Sequence, residues 1–423
     1  TGGGVVSAKV VFACFMLAGI YLFWKIMRKL EYEYDFTAVL LFALAPATLY
    51  FGSNICSEAP FIFFSMLTLF FAEEYSEEET HFNRYLTIMS FAMIAAFYLR
   101  TIGIALLPPV LLLFITKRQF KRGFIAGSIY LAGILPWILR GILTSSSYLS
   151  LLVQKKGASD STVSMIMERM LSNAVLYTGK IPSELFFYPV MGTIPKDHPL
   201  FVFKLIISLT IVLVVLTGYA RRIINSNMRS YDYYVPFIVV ICLLWPFHSF
   251  RFMYPAFPFI FIYFVEGLRL LLKKQRSALK IFCLTVLLCF VLVDVRLIIK
   301  SRTSCPDKEA SGYMKALSWI SEYTESNSVV ASGKPAMTYY HAGRKSVSYP
   351  KIPNETLAMD QMESAGVDYV ILDSLGLKWS RFGVWGAGIY LKPVLEQFPG
   401  RFTLEYRDEL SGTEIYRLNG GGQ

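Results

Sequence analysis

Ten apolar stretches divide the first 299 residues, at about 4–24, 36–56, 58–73, 85–99, 101–116, 123–143, 201–219, 233–248, 254–272 and 281–299. As helices, runs of this length cross or nearly cross the roughly 30 Å hydrocarbon core of a bilayer. Within lipid, a helix satisfies all of its own backbone N–H and C=O groups, which an open strand does not. The region is therefore read as a polytopic α-helical membrane fold, with ten crossings as the working number. Composition agrees: hydrophobic residues make up 55% of the 423 and charged residues only 17%, unlike a water-soluble globular chain. The shorter runs are expected to tilt, break or re-enter. The least regular is 36–73, which "SNICSEAP" interrupts.

Charge assigns the sides. The loops "KIMRKL", "KRQFKR", "RRIINSNMR" and "KKQRSALK" are basic, and they alternate with loops that are not. The positive-inside rule puts them in the cytoplasm. "EEYSEEETHFNR" falls on the same side as an acidic exception. The opposite side receives "SNICSEAP", the "YLRT" turn, a long loop over 145–200, the "HSFR" turn and everything after residue 299. The net charge of +11 is thus a topology signal. No basic tail or aromatic-interleaved basic stripe supports nucleic-acid binding.

After Lys300 the pattern changes. "SVVASG", "SVSYP", "DYVILDS", "FTLEYRDE" and "TEIYRL" read as strands, alternating with helical segments near 307–324, 354–364 and 386–397. That alternation predicts an α/β domain over 300–423, placed outside the cytoplasm. The membrane domain is 1–299. In the 145–200 loop, "SMIMERMLSNAVLY" reads as an amphipathic interfacial helix, and "ELFFYPVMG" as an aromatic, proline-marked patch. Five of six cysteines lie in or at the ends of apolar runs and Cys305 stands apart, so neither a disulfide framework nor zinc spacing emerges. The four histidines form no ligand pair.

Polar groups that are expensive in lipid collect on the outer side. Asn54, Ser57 and Glu58 follow the second run, Arg100 ends the fourth, and Arg140 lies near the end of the sixth. His248 and Arg251 end the eighth, and Tyr254 begins the ninth. Lys155, Lys156, Arg169 and Lys180 lie in the long loop, while Asp294 and Arg296 sit near the outer end of the last run. Intramembrane ionisable residues are functional-site candidates, although long cations also snorkel to headgroups. A cationic, aromatic-lined cavity at this boundary suits a phosphate attached to a lipid.

Three stretches resemble, in order, those of the GT-C glycosyltransferases. They are "LFALAPATLYFGSNICSEAPFIFFSMLTLFF", "AAFYLRTIGIALLPPVLLLF" and "FRFMYPAFPFI". The resemblance is to the branch containing the lipid A aminoarabinose transferase, protein O-mannosyltransferases and rhizobial lipopolysaccharide core sugar transferases. The run "VVASGKPAMTYYHAGRKSVSYP", followed by "VDYVILD", resembles the small α/β domain that many bacterial members append. The resemblance implies a multi-pass enzyme of the bacterial inner membrane, moving a sugar from a polyprenyl-phosphate donor to an extracytoplasmic lipid, glycan or protein. It implies donor-phosphate contacts from Arg251, Tyr254, Arg100 and Arg140, and sugar or acceptor contacts from Glu58, Asn54 and His248. Some relatives use a divalent metal, but no ligand set is visible here. The catalytic Asp of the superfamily follows its first helix. The expectation is therefore that this Asp lies upstream of Thr1, and that the chain is inactive without it. The alternative is a transporter or flippase of lipid-linked saccharides. Such proteins usually carry paired repeats with broken helices at the midplane, and no repeat stands out.

Overall fold

The computed structural model describes residues 3–29, 35–77, 82–143, 162–179, 181–187, 198–225, 228–245, 250–272, 275–303, 307–352, 354–375 and 386–419. The chain separates into two compact units, Thr1–Ile299 and Lys300–Gln423.

Apart from short connecting turns, the described part of the first unit is helical, and the described residues of the ten apolar stretches fall mainly on helix. Among the described residues, five helices are long and apolar enough to cross a membrane: Gly4–Lys29, Phe120–Leu143, Leu200–Ile224, Phe250–Leu271 and Arg276–Ile299. A sixth candidate is bent by 56° between Phe36–Ala43 and Pro46–Ser53. Its break has a covalent cause, because Pro46 has no N–H to continue a helix and takes the first position of a new one. The working number of ten crossings is thus reduced, by length and composition, to five or six such spans plus shorter helices. The helix Glu58–Glu77 runs from the outer candidate Glu58 into the acidic segment, so it carries four carboxylates, one at its start and three in its last turns.

The helices are α1 (Gly3–Lys29), α2 (Asp35–Ala43), α3 (Pro46–Ser53), α4 (Glu58–Glu77), α5 (Phe82–Leu99), α6 (Leu107–Thr116) and α7 (Phe120–Leu143). They continue with α8 (Thr162–Gly179), α9 (Ile181–Phe187), α10 (Leu200–Ile224) and α11 (Ser230–Leu244). The last of this unit are α12 (Phe250–Met253), α13 (Phe257–Leu271) and α14 (Arg276–Thr303). Helices α10 and α13 cross with their backbones in contact. A Cβ on Gly218 would stand 1.9 Å from the Tyr263 carbonyl oxygen, and one on Gly267 would stand 1.9 Å from that of Val214. Only glycine fits on either side of such a crossing.

Helix α8 is the segment expected at the membrane interface. Val163, Met167, Leu171 and Val175 give it an exposed apolar stripe at four-residue spacing, as lipid contact requires. Its other side packs on α10 and α11. There Asn173 is fully buried, and its Nδ2 donates to the carbonyls of Leu243 at 2.8 Å and Trp245 at 2.9 Å. These oxygens end α11 without helical partners, so α8 is tied into the bundle.

The second unit has α15 (Lys308–Tyr323), α16 (Pro335–Ala342), α17 (Glu355–Ser364) and α18 (Lys392–Gln397) around a five-stranded sheet. Its strands are β1 (Val329–Ser332), β2 (Lys345–Ser348), β3 (Tyr369–Leu372), β4 (Phe402–Asp408) and β5 (Thr413–Leu418), in the order β2-β1-β3-β5-β4. β1 pairs in parallel with β2 and β3, while β5 runs antiparallel to β3 and to β4. Alternation along the strands splits the core. Val330, Ile371 and Ile415 pack under α15 and the end of α16, and Val329, Ala331, Val370 and Leu372 pack under α17 and α18.

Candidate functional site

Glu58 opens α4 and is fully buried. Burying a carboxylate is affordable only with charged partners, and two arginines supply them. Its Oε1 accepts from Arg100 Nη1 at 2.6 Å and from Arg251 Nε at 2.5 Å, and its Oε2 accepts from Arg251 Nη2 at 3.0 Å. The three residues are far apart in sequence, and different elements deliver them. Arg100 has extended backbone where α5 gives way to a 3₁₀ turn, Thr101–Leu106. Arg251 sits on α12, a single turn. The 3₁₀ turn Tyr254–Ala256 follows, and α13 then begins with Pro258 in its first turn.

The two guanidiniums are not equivalent. The Arg100 side chain is 11% exposed and lies over the Phe252 ring at 5.6 Å and the Phe61 ring at 5.9 Å, within cation–π range. The Arg251 side chain is 52% exposed. Both guanidiniums converge on one carboxylate, and Arg251 is the more exposed of the two. Arg251 Nε and Nη2 donate to Glu58, and a guanidinium of this kind is chemically able to donate to the oxygens of an anion as well.

The other candidate residues divide. Tyr254 is fully buried, and its hydroxyl donates to Thr48 Oγ1 at 3.0 Å. The rings of Phe51 and Phe257 stand 4.5 and 5.5 Å from its own. Its sequence neighbour Arg251 therefore reaches the boundary while Tyr254 packs inward. Glu58 is no solvated turn residue, because both of its oxygens are taken by arginine. Asn54 Nδ2 donates to the Tyr50 carbonyl at 2.7 Å and closes the end of α3. Arg140 is exposed on the last turn of α7 with its Cζ 5.5 Å from the Trp137 ring, and it is not among the groups bonded to Glu58. Arg169 lies on α8, its Nη1 3.5 Å from the Leu244 carbonyl oxygen. Asp294 is half-buried, one turn beyond the buried Cys283, Val286 and Phe290 of α14. His248, Lys155, Lys156 and Lys180 lie outside the described residues. Among the described residues, no group of three or more His, Cys, Asp or Glu side chains is placed to hold a metal ion.

A second polar centre escaped the sequence reading. At the far end of α4, Glu73, Glu74 and Glu77 pair with Lys29, Lys117 and Arg229. The distances are 2.7 Å for Lys29–Glu74, 2.9 Å for Lys29–Glu77 and 3.0 Å for Arg229–Glu77. Beside it the fully buried Asp232 accepts from Arg222 Nε at 2.8 Å and Nη2 at 3.0 Å, and from the Tyr263 hydroxyl at 3.0 Å. The available signal was Asp232 three residues after Arg229, where an N-terminal helical carboxylate reaches back to the cap.

No family model matches the chain, and no curated protein matches it in sequence. Solved structures do match in shape. The oligosaccharyltransferase AglB from the archaeon Archaeoglobus fulgidus, solved with an inhibitory peptide and a dolichol-phosphate, is 12% identical, with a TM-score of 0.50. That match covers 98% of this chain and 63% of AglB, so the chain spans less than two thirds of its relative's length. The arabinofuranosyltransferase AftD from Mycobacteria is 13% identical, with a TM-score of 0.43 over 97% of this chain and 35% of AftD. At these identities the likeness is one of fold, and the fold of this chain is similar to that of the oligosaccharyltransferase AglB.

Proposed function

We propose that the chain is a membrane glycosyltransferase that takes a sugar from a polyprenyl-phosphate donor and passes it to an extracytoplasmic lipid, glycan or protein. The observation that carries this reading is the Glu58 cluster, a buried carboxylate that gathers Arg100 and half-exposed Arg251 at one point. AglB, of similar fold, is described with a dolichol-phosphate, a ligand of the chemistry this cluster fits. In such a transfer an acceptor hydroxyl attacks the anomeric carbon and the polyprenyl phosphate leaves. Negative charge develops on the departing phosphate, and preorganised cations at that point stabilise the transition state. Arg251 is the phosphate contact. Arg100 and Glu58 hold its guanidinium in place, and the remaining binding roles fall to groups around them.

Binding tests the site without requiring turnover. The chain in lipid nanodiscs is titrated with undecaprenyl monophosphate and, separately, with undecaprenol. The phosphate is expected to improve affinity. Arg251→Ala is expected to remove on the order of tenfold or more of that gain, as losing a hydrogen bond to a charged group does. Arg251→Lys should restore it in part, because an ammonium supplies charge without the fork. Equal affinity for the two lipids, unchanged by Arg251→Ala, would defeat the proposal.

A further inference from the structure

The exposed face of α1 changes character towards its end. α1 is one of the helices long and apolar enough to cross a membrane. Val6, Val10, Leu17 and Tyr21, at spacings of four and seven, are each more than half exposed, as a side turned to acyl chains would be. The stripe then turns basic. Trp24, Lys25 and Arg28 follow Tyr21 by three, four and seven positions, so all four residues share one side of the helix. Lys25 and Arg28 are exposed. The next residue, Lys29, bonds to Glu74 at the end of α4 away from Glu58. The basic stretch therefore lies at the opposite boundary from the Arg251 site.

Two cations are gathered there on aromatic rings. Lys25 Nζ stands 5.6 Å from the centre of the Tyr21 ring and 5.9 Å from that of Trp24, and Arg28 Cζ stands 5.4 Å from that of Trp24. These are cation–π distances, and the two rings are themselves 5.7 Å apart. Among the described residues, neither cation has a carboxylate partner. Their neighbours at this boundary differ: Lys29, Lys117 and Arg229 are each answered by Glu73, Glu74 or Glu77. Residues three apart on a helix are side by side, so Lys25 and Arg28 repel. The carboxyl end of α1, with about half a unit of negative charge, offsets part of that repulsion. An anion between the two side chains would remove the rest.

The membrane supplies that anion, and dimensions and charge narrow it. Leu17 to Arg28 covers about 16 Å of helix, roughly half of the 30 Å hydrocarbon core. One lipid can thus lay its chains along Leu17 and Tyr21 and bring its phosphate to Lys25 and Arg28. A phosphodiester has two free oxygens, which suit an ammonium on one side and a guanidinium fork on the other. Two adjacent cations disfavour a headgroup that carries an ammonium of its own, so a lipid with net negative charge fits best. We propose that Tyr21, Trp24, Lys25 and Arg28 form a binding site for the headgroup phosphate of an anionic phospholipid. The inference stands on α1 and does not depend on the reading of the Arg251 site.

The test is native mass spectrometry of the whole chain in detergent, titrated with phosphatidylglycerol and, separately, with phosphatidylethanolamine of the same acyl chains. Phosphatidylglycerol is expected to bind on the order of fivefold or more tighter, the gain that one basic residue near an anionic headgroup gives. The double variant Lys25→Gln/Arg28→Gln should bind the two lipids equally, while Lys25→Arg/Arg28→Lys keeps the preference. Lys334→Gln/Lys351→Gln removes the same charge from exposed positions of the second unit and should keep it too, as should Arg251→Ala. Without added lipid, the unfolding temperature of Lys25→Gln/Arg28→Gln should not fall, because the change takes away a repulsion. A fall would assign the pair to packing and overturn the proposal. Equal affinity for the two lipids in the unsubstituted chain, or a preference that survives in Lys25→Gln/Arg28→Gln, would overturn it as well. So would a preference lost in Arg251→Ala, which would put the lipid at the other boundary.

Discussion

Arg251 and Tyr254 stand three positions apart, and the chain uses them oppositely. The sequence legibly marks Arg251, Arg100 and Glu58 as polar groups out of place at one end of apolar runs. That they meet on a single carboxylate is not legible, because their contact depends on packing between helices more than 40 residues apart. Tyr254 is expected beside Arg251 as a phosphate contact, but its hydroxyl donates to Thr48 in the interior, a packing outcome that its sequence position does not reveal. Asp373 was read only as the end of a strand, although its environment makes a definite prediction. Burial, which disfavours its charged form, raises it from 3.8 to about 6. The folded state therefore binds the proton more tightly than the unfolded chain, so stability falls as pH rises through the window from about 4 to about 6. The cost above that window is on the order of 3 kcal/mol. Hydrogen-exchange protection of β1 and β3 in the whole chain should accordingly fall between pH 4 and pH 7. In Asp373→Asn it should be flat across that range and higher at pH 7. A pH-independent wild type would show that the carboxyl is solvated.

At the scale of elements, the apolar runs and the α/β alternation were legible because each follows from local periodicity. All five strand segments and the helices near 307–324 and 354–364 appear where hydrophobic patterning places them. Breaks and crossings were less legible. The bend at Pro46 is a single residue inside a long apolar run. The α10–α13 crossing rests on Gly218 and Gly267, two isolated glycines with nothing in the local pattern to pair them. The crossing has a direct consequence. Each added Cβ meets a carbonyl oxygen at 1.9 Å, far inside contact distance, and backbone moves less readily than a side-chain tip. Gly267→Ala should therefore force α13 away from α10 and lower the unfolding temperature in detergent, at a cost of about 1–3 kcal/mol or more. Gly127→Ala is the control, because its nearest neighbour is the Leu111 side chain at 3.4 Å. Equal stability of the two variants would mean that the helices separate at no cost.

For the whole molecule, the acidic loop changes from an exception into a part of the design. Glu73, Glu74 and Glu77 neutralise Lys29, Lys117 and Arg229, which come from three of the four basic loops. α4, about 30 Å long by its 20 residues, joins this network at one end to the Glu58 cluster at the other. The ends of one helix thus hold two separate ion-pair clusters, one built on Glu73, Glu74 and Glu77 and one on Glu58. Lys25, Arg28 and Lys121 are exposed near this network, and the positive-inside rule then predicts the cytoplasmic side for it. In a cysteine-free background, Lys121→Cys and Ser277→Cys should react with an impermeant maleimide only after permeabilisation. Ser318→Cys and Glu396→Cys, both exposed in the second unit, should react in intact cells. Labelling in the reverse pattern would put Arg251 on the cytoplasmic face. A polyprenyl-phosphate sugar presented on the outer side would then have no route to its guanidinium.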